Sequence, residues 1–362
     1  MDLQDFIINN DDYLSQFRKL NLNVKNYSQL KLAIITYKRN FVYDFNENTF
    51  IKWCKGAIIN TETNKVVCLP PQKCLEKYTF SDVLIEDKDN FILQPLIDGT
   101  MINMFFHNDE WLISTRSFIG GKNKWDQELS FKKMFDECKN IINMEELDKN
   151  NSYSFVLQHK ENRIISEIVE NNIILVEEYS YINNIPIVVD FQGKYETIMS
   201  IKNNDMNVLN DSMGKTFNFQ FKGFTLKKNE KRINVINPEY QKAHDIKMKC
   251  NYNNKLLSYI YLRNNNLLKD YLSYFNDDGL LFDKYRNLIY IMKNELYDCY
   301  VKYFIKKAIE KKQIPFQLKP LVYELHTIYK QDKKKITNEI INEYIYKMPD
   351  KKLCFVLNYY IT

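Results

Sequence analysis

Histidine is scarce. The 362 residues contain four, His107, His159, His244 and His326, which leaves too few for a multi-histidine metal centre. The seven cysteines, at 54, 68, 74, 138, 250, 299 and 354, are odd in number, widely spread and form no CxxC pair. That argues against a structural zinc site and for free thiols in a reducing compartment. Eight glycines and eight prolines leave no long flexible or polyproline linker. No run approaches the ~18 consecutive apolar residues of a transmembrane helix. The acidic start, Met1-Asp2-Leu3-Gln4-Asp5, leads into no apolar secretory core. These absences point to a protein made and kept in a cytoplasm, with no membrane partner.

What is present fits a folded chain: 45% of residues are hydrophobic and 14% aromatic, far from the composition of a disordered protein. The length suits two domains at ~150 residues each. The formal charge of +5 is unevenly spread. From Asp245 to Thr362 there are 21 Lys and Arg against 13 Asp and Glu, a net of +8 that leaves −3 for the rest. A basic C-terminal third behind a mildly acidic body suits a module for an anionic partner, although a charge run such as Lys333-Lys334-Lys335 also reads as a solvated helix surface.

The texture changes near residue 245. Before it, β-branched and aromatic runs alternate with turn residues: Gly56 to Asn60, Lys65 to Leu69, Phe91 to Leu93, Thr100 to Phe105, Trp111 to Thr115, Ser152 to Leu157, Ile173 to Val176 and Gly223 to Leu226. These predict strands, with Asn108-Asp109-Glu110 as a hairpin turn. After it, Leu256, Ile260, Leu267 and Tyr271, then Leu288, Ile291, Leu296 and Tyr300, then Leu321, Leu325 and Ile328 recur at helical spacing. Asp277-Asp278-Gly279 is a turn, and Pro315 and Pro320 punctuate the helices. Leu14, Phe17 and Leu20 make a helical stripe near the start, so the whole stretch 1–40 is expected to be a helical lead packed on the body. The expected organisation is α+β: the lead 1–40, a sheet-rich domain 41–245 and an all-α basic domain 246–362.

One series of motifs is more specific than composition. It runs from Trp53-Cys54-Lys55-Gly56-Ala57 through Leu69-Pro70-Pro71-Gln72-Lys73 to Pro95-Leu96-Ile97-Asp98-Gly99-Thr100. Trp111-Leu112-Ile113-Ser114-Thr115-Arg116-Ser117, Phe155-Val156, Glu161-Asn162-Arg163 and Phe221-Lys222-Gly223-Phe224 follow. In order and spacing, residues 40–245 resemble the RNA ligases of T-even phages and their relatives, within the covalent nucleotidyltransferases. The resemblance implies a mixed, largely antiparallel nucleotidyltransferase sheet domain of the ATP-grasp-like ligase kind, followed by a helical tail that contributes to RNA recognition. With the AT-biased composition, it also suggests a large DNA virus or phage-like source, and hence a host cytoplasm or viral factory.

The resemblance further implies a chemistry. A deprotonated lysine attacks the α-phosphate of ATP and forms a lysyl-nucleotide; divalent metal and basic groups neutralise the phosphates, and glutamates hold metal and ribose. This chain departs from that pattern where it matters most. The nucleophile of the family's Lys-x-Asp-Gly is Leu96. The Phe-Glu glutamate is Val156, and the Glu-Gly glutamate is Lys222. The late Lys-x-Lys falls on Asn234 and Ile236, and the early Arg-Gly is Lys55-Gly56. Leucine has no lone pair, so no covalent adduct can form there, while turn and packing elements are kept. A vestigial pocket would comprise Lys55, Gly56, Asp98, Gly99, Thr100, Arg116, Asn162, Arg163, Lys222 and Gly223.

Each of these residues has a plainer reading beside the functional one. Asp98-Gly99 contacts a nucleotide or simply makes a tight turn, where glycine allows an unusual φ. Arg116 grips a phosphate or forms a surface ion pair. Asn162 and Arg163 line a pocket or cap a strand. Lys222 is a relocated nucleophile or the internal counter-ion of Asp98. Lys122, Lys124 and Trp125 suit single-stranded nucleic acid, although tryptophan is more often core. Tyr259, Tyr261, Tyr271, Tyr274, Tyr300 and Tyr303 read mainly as packing, and His326 as a satisfied structural histidine. The favoured function is a catalytically degenerate RNA-ligase-like protein that binds RNA, structured or tRNA-like, through Arg116, Lys122, Lys124 and Lys333 to Lys335, with no metal and no cofactor. The alternatives are an active ATP- and Mg-dependent RNA ligase using Lys222, or a purely structural subunit with protein partners.

Overall fold

Three antiparallel sheets carry the first part of the chain, and helices the rest. The structure is a computed structural model and describes residues 2–45, 47–74, 91–124, 128–139, 142–182, 185–188, 201–203, 218–228, 231–250 and 254–361. Its contacts divide the chain into two units, Met1–Gln241 and Lys242–Thr362. The division falls inside one helix, Pro238–Met248, a few residues before the change of sequence texture.

The first unit opens with α1 (Leu3–Ile8) and α2 (Tyr13–Lys19), then β1 (Leu22–Tyr27), β2 (Leu32–Tyr37), β3 (Ala57–Asn60) and β4 (Lys65–Cys68), paired in that order. The expected helical lead is therefore corrected: helix stops at Lys19, and residues 22–37 form a hairpin. The physical reason lies in β2, whose Leu32-Ala33-Ile34-Ile35 run is wholly buried. Ile35 faces a core with Phe6, Phe17, Phe50 and Ile59, while Leu32 and Ile34 face Ile58, Phe105 and Ile119. A strand buried on both faces loses its alternation and cannot be told from helix by period alone. The helical stripe is real only over α2, where Phe17 is fully buried and Leu14 and Leu20 pack at its edge.

Two further sheets complete the unit. One has the order β11-β10-β9-β6-β7-β8, from β6 (Thr100–His107), β7 (Glu110–Thr115), β8 (Phe118–Ile119), β9 (Ser152–Gln158), β10 (Asn172–Ile182) and β11 (Ile185–Val188). The β6–β7 hairpin turns on Asn108 and Asp109, both at positive φ (49° and 62°), as a two-residue hairpin requires. Helix α3 (Phe131–Cys138), capped by Ser130, buries Phe131, Met134, Phe135 and Cys138 against Ile102, Met104, Phe155 and Leu175 of this sheet. The other sheet has the order β12-β5-β13-β14, from β5 (Phe91–Pro95), β12 (Ile201–Asn203), β13 (Gly223–Lys228) and β14 (Lys231–Ile236).

The helix α4 (Pro238–Met248) is followed in the second unit by α5 (Lys255–Asn264), α6 (Leu268–Tyr274), α7 (Gly279–Tyr300), α8 (Lys319–Asp332), α9 (Asn338–Lys347) and α10 (Asp350–Asn358). The 22-residue α7 is the axis of this bundle and packs against α5, α8, α9 and α10. Of its expected apolar positions Leu296 and Tyr300 are buried, but Ile291 faces solvent; Ile289 and Met292 take the inner face instead. His326 stacks on Phe304 at 3.7 Å, while its buried Nδ1 has no hydrogen-bond partner among the described residues, so ring packing sets its place. No helix among the described residues is long and apolar enough to cross a membrane.

Candidate functional site

The six-stranded and four-stranded sheets of the first unit both contribute to one cleft of about 270 Å³. The cleft gathers Leu96, Val156, Lys222, Asn234 and Ile236, the last two from β14 and the others from separate parts of the chain. Lys55, Gly99 and Arg116 also line it. Gly56 stands behind the wall: its φ is +121°, and a Cβ there would meet the Arg116 carbonyl oxygen at 2.9 Å. This close backbone approach sets Lys55 beside Arg116.

Asp98 does not line the cleft; it is buried beneath it and fully engaged. Its Oδ1 accepts from Tyr240 Oη at 2.6 Å and from Lys222 Nζ at 3.2 Å. Its Oδ2 accepts from the backbone N–H groups of Ile165 and Ser166, both at 3.0 Å. Burial disfavours this carboxylate, but Lys222, Tyr240 and the two amides outweigh burial and hold its pKa below the ordinary value. Thr100, Asn162 and Arg163 belong to the same latch. Asn162 Nδ2 donates to Thr100 Oγ1 at 2.8 Å, and Arg163 Nε donates to the Ile165 carbonyl at 3.1 Å. The first bond ties the start of β6 to the loop after β9, and the second braces that loop. Gly223 closes the far side, its carbonyl accepting from Leu96 N–H at 2.7 Å.

Gly99 is the tightest point of this turn. Its φ is +154°, and a Cβ would lie 2.6 Å from both the Leu157 carbonyl oxygen and Val156 Cγ1. Gly99→Ala is expected to destabilise the protein by about 3 kcal/mol, from backbone strain added to steric overlap. A urea unfolding midpoint unchanged from the parent protein would contradict this placement.

A second buried carboxylate mirrors the first. Glu177 follows the bulged residue Val176 in β10 and accepts from Arg232, Lys227 and the Tyr179 hydroxyl. Burial opposes its ionised form, yet Arg232 and Lys227 prevail and lower its pKa. Arg232 lines the cleft and escaped the sequence reading. The signal was available: Arg232, Asn234 and Ile236 alternate along β14, so the period of two that joins the last pair extends back to the first. Tyr240 escaped too, because nothing local marks a tyrosine as the partner of a distant aspartate.

The wall is therefore cationic. Lys55, Arg116, Lys222 and Arg232 line it, and no carboxylate does among the described lining residues. Lys222 and Arg232 are held from behind by Asp98 and Glu177, whereas Lys55 and Arg116 have no ion-pair partner among the described residues. Crowding by the cleft walls lowers the Lys55 pKa, and Arg116, Arg232 and Lys222 lower it further against an opposing pull from Cys74. The rest of the lining is apolar or neutral, including Pro70, Pro71, Met101, Val176, Asn103 and Thr225, whose hydroxyl donates to Asn234 Oδ1 at 2.9 Å.

The remaining predicted contacts lie elsewhere. Lys122 and Lys124 are exposed in the loop after β8 and do not line the cleft. Trp125 lies outside the described residues. Lys333, Lys334 and Lys335 are exposed after α8 in the second unit, Lys333 ending that helix in the left-handed conformation (φ 52°). Of the six tyrosines read as packing, Tyr259, Tyr271 and Tyr300 are buried. All seven cysteines are free thiols.

No family model matches the chain. A curated relative, the "Putative bifunctional polynucleotide kinase/RNA ligase" of Autographa californica nuclear polyhedrosis virus, is 28% identical over 166 residues. The match takes in 41% of this chain and 24% of that protein, so the chain spans about a quarter of its relative's length. Among solved structures, the "Putative ATP-dependent DNA ligase from Aquifex aeolicus" superposes with a TM-score of 0.45 at 13% identity, over 75% of this chain and 78% of that one. A mutant RNA ligase of Naegleria gruberi gives a TM-score of 0.35 at 11% identity, over 65% and 83%. The likeness in sequence to the viral kinase/ligase, joined to the antiparallel sheets that gather one series of motif positions around a single cleft, makes this an RNA-ligase-like nucleotidyltransferase fold.

Proposed function

We propose that the protein is a degenerate RNA-ligase-like protein that binds RNA without forming a lysyl-nucleotide. One observation carries this reading: a cationic cleft in a ligase-like fold has Leu96 at the position where the resemblance puts the nucleophile. A hydrocarbon side chain offers no electron pair to phosphorus, and loss of an activated nucleophile costs roughly six powers of ten in rate. Lys222 gives little support to a displaced nucleophile, because its amine is engaged by Asp98 and faces the Tyr240 ring, 5.7 Å from its centroid. Lysine attacks as a free amine, and this amine is tied to a buried carboxylate. The basic second unit and the exposed Lys122, Lys124 and Lys333 to Lys335 supply further surface for a phosphate backbone.

The direct test is incubation with α-labelled ATP or GTP and Mg²⁺ or Mn²⁺, followed by a denaturing gel. The expected result is no labelled protein band, for the parent protein and for Lys222→Ala alike. A covalent band in the parent that disappears in Lys222→Ala, or in Lys55→Ala, would overturn the reading in favour of an active nucleotidyltransferase.

A further inference from the structure

We propose that the cleft takes a phosphate-bearing ligand as its free anion, with no divalent cation between ligand and protein. This deepens the proposed function and rests on it for the kind of ligand. The ligase resemblance implies a magnesium ion held by carboxylates, and the donor set here does not fit one. Magnesium takes oxygen ligands, several of them water, and is anchored to a protein chiefly through one or two carboxylates. At the two positions where the resemblance expects glutamates stand Val156, which has no donor atom, and Lys222, an ammonium that repels a dication.

The carboxylates bonded to lining side chains are already spent. Both oxygens of Asp98 carry two hydrogen bonds each, and Glu177 is enclosed by Arg232, Lys227 and Tyr179. Releasing either one to a metal would strand a buried cation.

Four side-chain cations then do what a metal and lysines would share in the family. Lys222 and Arg232 are fixed in place by their buried partners, which costs a ligand little ordering on binding. Lys55 and Arg116, set side by side by the Gly56 contact, keep their charge unspent. Arg116 offers a planar fork suited to two phosphate oxygens, and Lys55 a compact charge. A cluster of like charges around an apolar floor is relieved by an anion, and the fuller the anion's charge, the greater the relief. Magnesium complexation removes part of that charge, so magnesium should compete with the site rather than complete it.

The test is calorimetric titration of the full chain with sodium tripolyphosphate and with ATP, each in EDTA and in excess magnesium chloride. Binding in EDTA that weakens with magnesium is the expected result, with a loss of about tenfold in each of Lys55→Ala and Arg116→Ala. Both residues are exposed, so neither variant threatens the fold. Binding seen only with magnesium present overturns the proposal, as does equal binding by both variants. Competition between ATP and a 5′-triphosphorylated oligoribonucleotide assigns the phosphates to a free nucleotide or to an RNA end, and either outcome keeps the metal-free site. RNA binding without tripolyphosphate or ATP binding refutes the site while leaving the RNA reading standing. Tripolyphosphate binding without RNA binding does the reverse.

Discussion

Asp98→Ala is expected to lower the stability of the first unit by about 3–5 kcal/mol, the cost of leaving a buried charge without its partner. The substitution removes four hydrogen bonds at once, from Lys222, Tyr240 and the backbone of Ile165 and Ser166. Three of those donors sit in regions where water cannot fully replace the carboxylate. Asp98→Asn keeps the shape and part of the hydrogen bonding, so its cost should be smaller, about 2 kcal/mol. Urea denaturation followed by tyrosine fluorescence and circular dichroism measures both. A loss under about 1 kcal/mol for the alanine variant would show that the latch is not structural.

The same carboxylate makes stability depend on pH with a definite sign. Its folded pKa is depressed, so its contribution is fully present above the unfolded value and is lost as pH falls through the folded one. Glu177, also depressed, adds to the effect in the same direction. The parent protein should therefore lose stability on acidification below about pH 4, and Asp98→Asn should lose less over that window.

The second large effect is the response of RNA binding to salt. If the cleft and the basic surface neutralise at least four phosphates of a single strand, log affinity falls with log salt at a slope of about −0.7 per phosphate, or about 50-fold between 50 and 200 mM. Fluorescence anisotropy with a labelled oligoribonucleotide reads this directly. Replacing Lys333, Lys334 and Lys335 together by alanine should weaken binding evenly across sequences and flatten the slope, by about 0.7 for each phosphate no longer neutralised. No binding at the lowest salt would exclude the RNA reading and leave a scaffolding role for the fold. Flat salt dependence would show that phosphate contacts do not carry the affinity.

Much of the fold was legible because turn residues bracket its strands. Thr100 to His107 and Ser152 to Gln158 have turn residues at their ends and β-branched or aromatic residues between, and they form strands. The hairpin β1–β2 was not legible, because Leu32 to Ile35 is buried on both faces and α2 precedes it with a true helical stripe. Ile291 misled for a related reason: the apolar residues of α7 cover more than one face, and only packing chooses which face turns inward. At the site, the residue-type changes at Leu96, Val156 and Lys222 could be read by aligning short motifs, whereas Arg232 and Tyr240 carry no local mark of their partners.

What the amino-acid order determined by itself is covalent: position 96 carries a hydrocarbon with no electron pair to donate, and no folding changes that. It also determined the uneven charge, since side chains keep their sign wherever the backbone takes them. Only the tertiary structure decided which charges cancel. Lys222 meets Asp98 across 124 positions, Tyr240 meets the same carboxylate across 142, and Arg232 meets Glu177 across 55. Such pairings exist because sheet closure brings distant strands within hydrogen-bond reach and removes water, which turns weak surface attractions into the contacts that hold the cleft's cationic wall in place.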